Sequence, residues 1–206
     1  TIRMEFLFQI AVLIMSIVIH EVSHGYAASY LGDETARWQG RLTLNPLKHL
    51  DPVGSFVIPV IAYMTAGFIF GWAKPVPYNP YNLRPGRWSE AIVAAAGPIS
   101  NIAIALIFGF ILRSGVTLGR ASQSFVEITA IVVFINIILA IFNLVPIAPL
   151  DGSKLLYAFF PEKMLSLKHF FEKYGLILVL FFIFFLWQYL FPLITFVFRL
   201  ITGIAF

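Results

Sequence analysis

The chain has 206 residues, of which 60% are apolar and only 12% are charged. Ordinary soluble domains contain about 25% charged residues, so this composition excludes a water-soluble globular protein. Cysteine is absent, which excludes disulfides, thiolate zinc sites and cysteine nucleophiles. The net charge is +4. In a membrane protein basic residues mark cytoplasmic loops, so no nucleic-acid partner is predicted.

Four apolar segments are predicted to cross the membrane, because each is close to the 20 residues that a bilayer requires. They run from Met4 to Leu31, Trp88 to Leu112, Phe125 to Leu144 and Leu176 to Phe198. After the first helix, the alternation of Leu42 and Leu44 predicts a short membrane-associated β-hairpin. Residues 52–71 are broken by Pro59 and Gly67 and form a re-entrant segment or a fifth span. The predicted fold is therefore an all-α polytopic membrane protein with about four transmembrane helices plus that segment.

The first apolar segment contains His20-Glu21-Val22-Ser23-His24, which fits the pattern H-E-x-x-H. Histidines four residues apart on a helix point the same way and can bind one zinc ion, with Glu21 beside it as a base. Ionisable groups in a membrane helix cost roughly 2–3 kcal/mol each to bury, which favours a functional role. A structural polar cluster, or a proton or ion pathway, is the alternative.

A catalytic zinc ion takes three protein ligands, and Asp151 is the predicted third. Two prolines stop the helix before Asp151, and Gly152 after it permits a sharp turn. A helix cap or a loop aspartate is the alternative. His49 and His169 lie in polar connectors, where a lone histidine is more often solvated than bound to a metal.

The basic residues predict the orientation of the chain. Bringing Asp151 to His20 and His24 requires both helices to end on the same side, with residues 52–71 entering and leaving there. Of the 14 lysines and arginines, ten then lie on that side and four lie on the other. The predicted location is the cell membrane, with the active site nearer the cytoplasmic face.

Two motifs in this order resemble the site-2 proteases, the intramembrane zinc metalloproteases of peptidase family M50. H-E-x-x-H is followed by residues 143–152 in the pattern N-x-x-P-x-x-x-L-D-G, and residues 97–101 match the family's G-x-x-x-N element. Residues 43–52 and 71–77 resemble the compact prokaryotic branch. The resemblance covers about residues 15 to 160, and it implies one zinc ion per chain, held by His20, His24 and Asp151, with Glu21 as the catalytic base.

The chain is predicted to form a single membrane-embedded metalloprotease domain over residues 1–206. Its catalytic core would occupy about 4–160, and a basic connector with the C-terminal transmembrane helix would occupy 161–206. Asn143 is predicted to donate to the oxyanion, with an interhelical hydrogen bond as the alternative. Leu42, Thr43 and Leu44 are predicted to bind an extended substrate by strand addition, and Asn101 is predicted to face the substrate.

The predicted function is hydrolysis of a peptide bond within or near a transmembrane segment of a single-span membrane protein. A divalent-metal transporter or channel is one alternative, although transport favours inverted repeats and several weak sites, and this chain has no visible repeat. A catalytically silent protein that binds membrane clients is the other. Glu21 argues against it, because zinc binding alone does not require that carboxylate.

Overall fold

A computed structural model describes residues 2–51, 53–57, 64, 73–160 and 165–204, and helices dominate this part of the chain. They are α1 (Ile2–Tyr30), α2 (Thr35–Trp38), α3 (Ser89–Thr117), α4 (Gln123–Asn143), α5 (Asp151–Tyr157), α6 (Leu165–Phe181) and α7 (Trp187–Thr202). π-Helical segments lie at Val53–Val57 and at Phe182–Leu186, where the second joins α6 to α7. Short 3-10 helices lie at Pro46–His49 and Pro80–Asn82.

Four helices of the described part are long and apolar enough to cross a bilayer. They are Phe6–Tyr30, Ser89–Thr117, Gln123–Asn143 and Ser166–Thr202. The prediction of an all-α, multi-pass membrane protein is confirmed. The last helix begins well before Leu176, because the charged residues that precede it continue the same helix. Most of segment 52–71 lies outside the described residues, so the expectation that it re-enters the membrane, or forms a fifth span, stays a prediction.

The centre of the bundle forms where α3, α4 and α7 meet. The buried apolar side chains of this cluster are Ala105, Val133, Ile137, Ile194 and Phe198. Gly109 of α3 lets α7 approach closely, since a Cβ there would collide with Cγ2 of Ile201. Small residues allow such close packing between membrane helices, where the lipid supplies no hydrophobic drive for association.

The predicted β-hairpin is wrong: the described residues contain no strand, and residues 40–45 form a loop. Gly40, with φ of +62°, ends α2 in a Schellman motif in which the N–H of Arg41 bonds back into the helix at 2.9 Å. Asn45 then caps the next 3-10 helix, its side chain accepting from the N–H of Leu47 at 3.0 Å. These two caps leave too few residues between them for a strand, so the alternation of two leucines was misleading.

Asp33, which is fully buried just after α1, holds the loops at the C-terminal end of that helix. Its carboxylate accepts hydrogen bonds from the N–H of Asn79 at 2.8 Å and the side chain of Asn82 at 2.9 Å, and also from Thr35. Burial alone would raise the pKa of Asp33, but these hydrogen bonds outweigh burial and the pKa is lowered. The 79–82 turn is therefore fixed against the end of α1.

Candidate metal centre

His20, His24 and Asp151 meet inside the bundle, and each is at most 9% exposed. Asp151 Oδ2 lies 3.1 Å from His20 Nε2 and 3.3 Å from His24 Nε2. One ligand atom from each of the three residues lies within 4.8 Å of the other two. The helical spacing of the two histidines and the return of the chain after α4 thus bring the three predicted ligands together.

Each histidine is oriented by a hydrogen bond on its other nitrogen. His20 Nδ1 donates to Asn101 Oδ1 at 2.6 Å, and His24 Nδ1 donates to the backbone carbonyl of Val93 at 2.7 Å. Both acceptors belong to α3. With the proton held on Nδ1, each ring presents an Nε2 lone pair, which is the form that a metal requires.

The donor set and the space around it fit zinc. Two ligands of a tetrahedral zinc ion, bonded at about 2.0–2.1 Å, lie roughly 3.3 Å apart, close to the separations of the two histidines from Asp151. Gly97 supplies the room: a Cβ there would lie 2.5 Å from Nε2 of both His20 and His24. Gly97 of α3 therefore leaves the space that the two metal-binding nitrogens occupy.

Asp151 reaches the histidines because α5 begins at this residue. Gly152 lets the turn pack closely, since a Cβ there would collide with the carbonyl oxygen of Leu144. Oδ2 of Asp151 thereby faces the Nε2 atoms of both histidines, and a carboxylate binds a metal in its deprotonated form.

Glu21, between the two histidines, is held by the loop of residues 73–79. Its Oε2 accepts a hydrogen bond from the N–H of Val76 at 2.9 Å. Gly25 lets that loop approach α1, because a Cβ there would lie 2.8 Å from Cγ1 of Val76 and 2.5 Å from Cδ2 of Leu42. The carboxylate therefore has a fixed orientation beside the metal ligands.

The remaining predicted site residues take different positions. Asn101 is fully buried and bonded to His20, while Asn143 donates to the carbonyl of Leu139 in its own helix at 2.9 Å. Leu42 packs at Gly25, one residue after His24. Thr43 follows in the same loop, and Leu44 is 55% exposed. The oxyanion role of Asn143 and the substrate contacts of the other four residues stay predictions.

Several residues of the site carried no clear signal in the sequence. His49, expected in solvent, is 1% exposed and its Nε2 donates to the carbonyl of Thr43 at 2.8 Å. The groups that orient His24 and Glu21 are backbone atoms, so no side chain could reveal them. Ser16 and Asn136, which contact Asn101, belong to no motif. Only the polarity of Asn136 within the apolar stretch 130–142 of α4 could have indicated its role.

Comparisons with known proteins find a matching family model and several related proteins. The model of peptidase family M50 matches residues 116–186, a range that contains Asp151. The chain is 39% identical to "Putative zinc metalloprotease YwhC" of Bacillus subtilis over 173 residues, which cover 82% of this chain and 76% of that protein.

Two more distant relatives carry the same description. Rip2 of Mycolicibacterium smegmatis is 31% identical over 71% of this chain and 55% of its own length. MJ0611 of Methanocaldococcus jannaschii is 30% identical over 72% of each protein. No solved structure matches the chain. The identity to YwhC and the share of both proteins that it covers show that the chain belongs to peptidase family M50, as the resemblance to the site-2 proteases predicted.

Proposed function

We propose that the chain is an intramembrane zinc metalloprotease that cuts a peptide bond within or near a transmembrane segment of another protein. The observation that carries this proposal is the convergence of His20, His24 and Asp151 next to Glu21 inside a membrane bundle. Family membership supports the same enzyme class. When bound by these three residues, zinc would polarise the scissile carbonyl and lower the pKa of water at the site.

Glu21 is suited to act as the general base in this reaction. Glu21 lies between the two proposed histidine ligands in the sequence, and the N–H of Val76 holds one of its carboxylate oxygens. The carboxylate can accept a proton from the attacking water and pass it to the leaving amine. The surrounding helices keep bulk water away from these charges, which strengthens their interactions.

The proposed partner is a single-span membrane protein whose helix unwinds near the site. A peptide bond inside a helix is shielded by its own hydrogen bonds, so cleavage requires an extended stretch of substrate. The loop of Leu42, Thr43 and Leu44 is the proposed contact, because Leu42 packs at Gly25, the residue after His24, and Leu44 is exposed. Contact there would not involve strand addition.

We also propose that the catalytic face is cytoplasmic. The site lies at the C-terminal end of α1 and the N-terminal end of α3, since His24 bonds to Val93. The loops and short helices at this end carry seven of the chain's 14 lysines and arginines, and segments rich in lysine and arginine remain in the cytoplasm. Those basic residues are Arg37, Arg41, Lys48, Lys74, Arg84, Arg87 and Lys154.

The test is cleavage of single-span substrates by the purified chain in lipid vesicles. Glu21→Gln should keep its zinc and lose about 100- to 10,000-fold in rate, because general base catalysis contributes this much. Glu127→Gln is the matched control, since Glu127 is exposed at the start of α4 and bonds to Gln123. A chelator should abolish cleavage and added zinc should restore it. Wild-type rates in Glu21→Gln, or zinc uptake into vesicles without cleavage, would contradict the proposal.

A further inference from the structure

A chain of buried polar side chains leads from His20 through α3 to α4. Asn101 and Asn136 are each fully buried, and Ser16 is 4% exposed. Asn101 Nδ2 donates to Asn136 Oδ1 at 2.9 Å, and Asn136 Nδ2 donates to Ser16 Oγ at 3.0 Å. Unsatisfied amides are costly in a membrane bundle, so a network this complete restricts each group to few arrangements.

Asn136 of α4 determines which groups in the network donate hydrogen bonds and which accept them. Asn136 Nδ2 also donates to the backbone carbonyl of Val132 at 2.9 Å. A carbonyl oxygen can only accept, so the amide nitrogen of Asn136 must face Val132. Its Oδ1 must then face Asn101, because reversing the amide would place two oxygens against each other.

The orientation of Asn136 fixes the orientation of Asn101 and thereby the position of the proton on His20. The nitrogen of Asn101 must face the oxygen of Asn136, and its second proton reaches the backbone carbonyl of Ser16 at 3.4 Å. Asn101 Oδ1 is therefore left to face His20 Nδ1, 2.6 Å away. An oxygen at this position requires the proton on Nδ1, which frees Nε2 for the metal.

We propose that Asn136 is a positioning residue of the metal centre, which acts through Asn101 to fix the metal-binding tautomer of His20. His24 needs no such relay, because the carbonyl of Val93 accepts from its Nδ1 directly. The proposal rests on the zinc chemistry proposed above for the same site. The structural alternative is that Asn136 only joins α4 to α1 through Ser16. In that case Asn136 would have no effect on the metal through Asn101.

The experiment measures metal binding by the full chain in detergent without any substrate. Asn136→Leu keeps the approximate size of the side chain, and Asn136→Ala avoids any overpacking. Thr129→Val is the matched control, because Thr129 is 5% exposed and lies two turns earlier on the same helix. The readouts are the zinc dissociation constant, from competition with a chelator, and the visible absorption spectrum of the cobalt-substituted protein.

Both Asn136 variants should bind zinc about 10- to 100-fold more weakly, the usual cost of losing an outer-shell partner. Their cobalt spectra should shift, while Thr129→Val should match the wild type. In an Asn101→Ala background, Asn136→Leu should cause little further loss, because the relay is already broken. Wild-type zinc affinity in either folded Asn136 variant, or equal losses in both backgrounds, would overturn the proposal.

The test also separates this proposal from the proposed function. Zinc binding needs no substrate, so its dependence on Asn136 can be measured even in a chain that cleaves nothing. A wild type that binds zinc and shows the expected Asn136 effect, yet cleaves no substrate, would contradict the protease and support the relay.

Discussion

Gly97→Ala should empty the metal centre without unfolding the bundle. The added methyl carbon would lie 2.5 Å from Nε2 of His20 and of His24, whereas ordinary contacts to carbon begin near 3.5 Å. Relief would require each nitrogen, or the helix that carries residue 97, to move by about 1 Å. Zinc ligands tolerate only about 0.2 Å. Moving α3 instead would strain the bond between His24 and the carbonyl of Val93.

The expected result is a zinc affinity at least about 100-fold below that of the wild type, at the upper end of the range for outer-shell changes. Zinc per chain would be measured by mass spectrometry after purification, and helix content by circular dichroism. Gly86→Ala is the control, because a Cβ there meets only Ser89 Oγ at 3.4 Å. A folded Gly97→Ala protein with wild-type zinc affinity and cleavage would refute the reasoning from packing.

Three further predictions address the ligand, the loops and the helix packing. Asp151→Ala should weaken zinc binding more than the loss of an outer-shell partner does, which is about 10- to 100-fold. Equal zinc content in Asp151→Ala and in the wild type would contradict this prediction. Asp33 has a lowered pKa, so its contribution to stability is present above about pH 4 and is lost as the pH falls through the lowered value. Asp33→Asn should therefore reduce the difference between thermal unfolding at pH 6 and at pH 3, and an unchanged difference would count against this role. Gly109→Leu should lower the free energy of unfolding in detergent by about 1–3 kcal/mol through overpacking, whereas Ala103→Leu on the exposed face of α3 should not.

The metal ligands could be predicted from the sequence because their geometry is local or their context is unusual. Helical periodicity alone places His20 and His24 on one face. Asp151 stood out because a carboxylate between helix-breaking residues at membrane depth needs a reason to be there. Gly97 was harder to interpret: a small residue in a membrane helix indicates close packing, and only the structure shows that histidine nitrogens fill the space.

The loops could not be predicted in the same way, since local helix caps satisfy the hydrogen-bonding groups of their backbone. Leu42 and Leu44 alternate like a strand, but Gly40 and Asn45 use the surrounding backbone to end one helix and start another. Asn136 escaped notice for a different reason. An asparagine in an apolar stretch of a membrane helix usually bonds to a neighbouring helix, and the link from Asn136 to His20 passes through a second amide, that of Asn101.

The hydrogen-bond acceptors that hold the two histidines differ in whether a mutation can remove them. A single nucleotide substitution can alter Asn101, which holds His20, and such variants would appear in any genetic screen for loss of activity. His24 is held by the peptide carbonyl of Val93, and every amino acid supplies that atom. No codon change at position 93 removes it, so a complete scan of side chains would leave this support undetected. Only chemical synthesis, with an ester in place of the 93–94 amide, would weaken that acceptor and test its contribution.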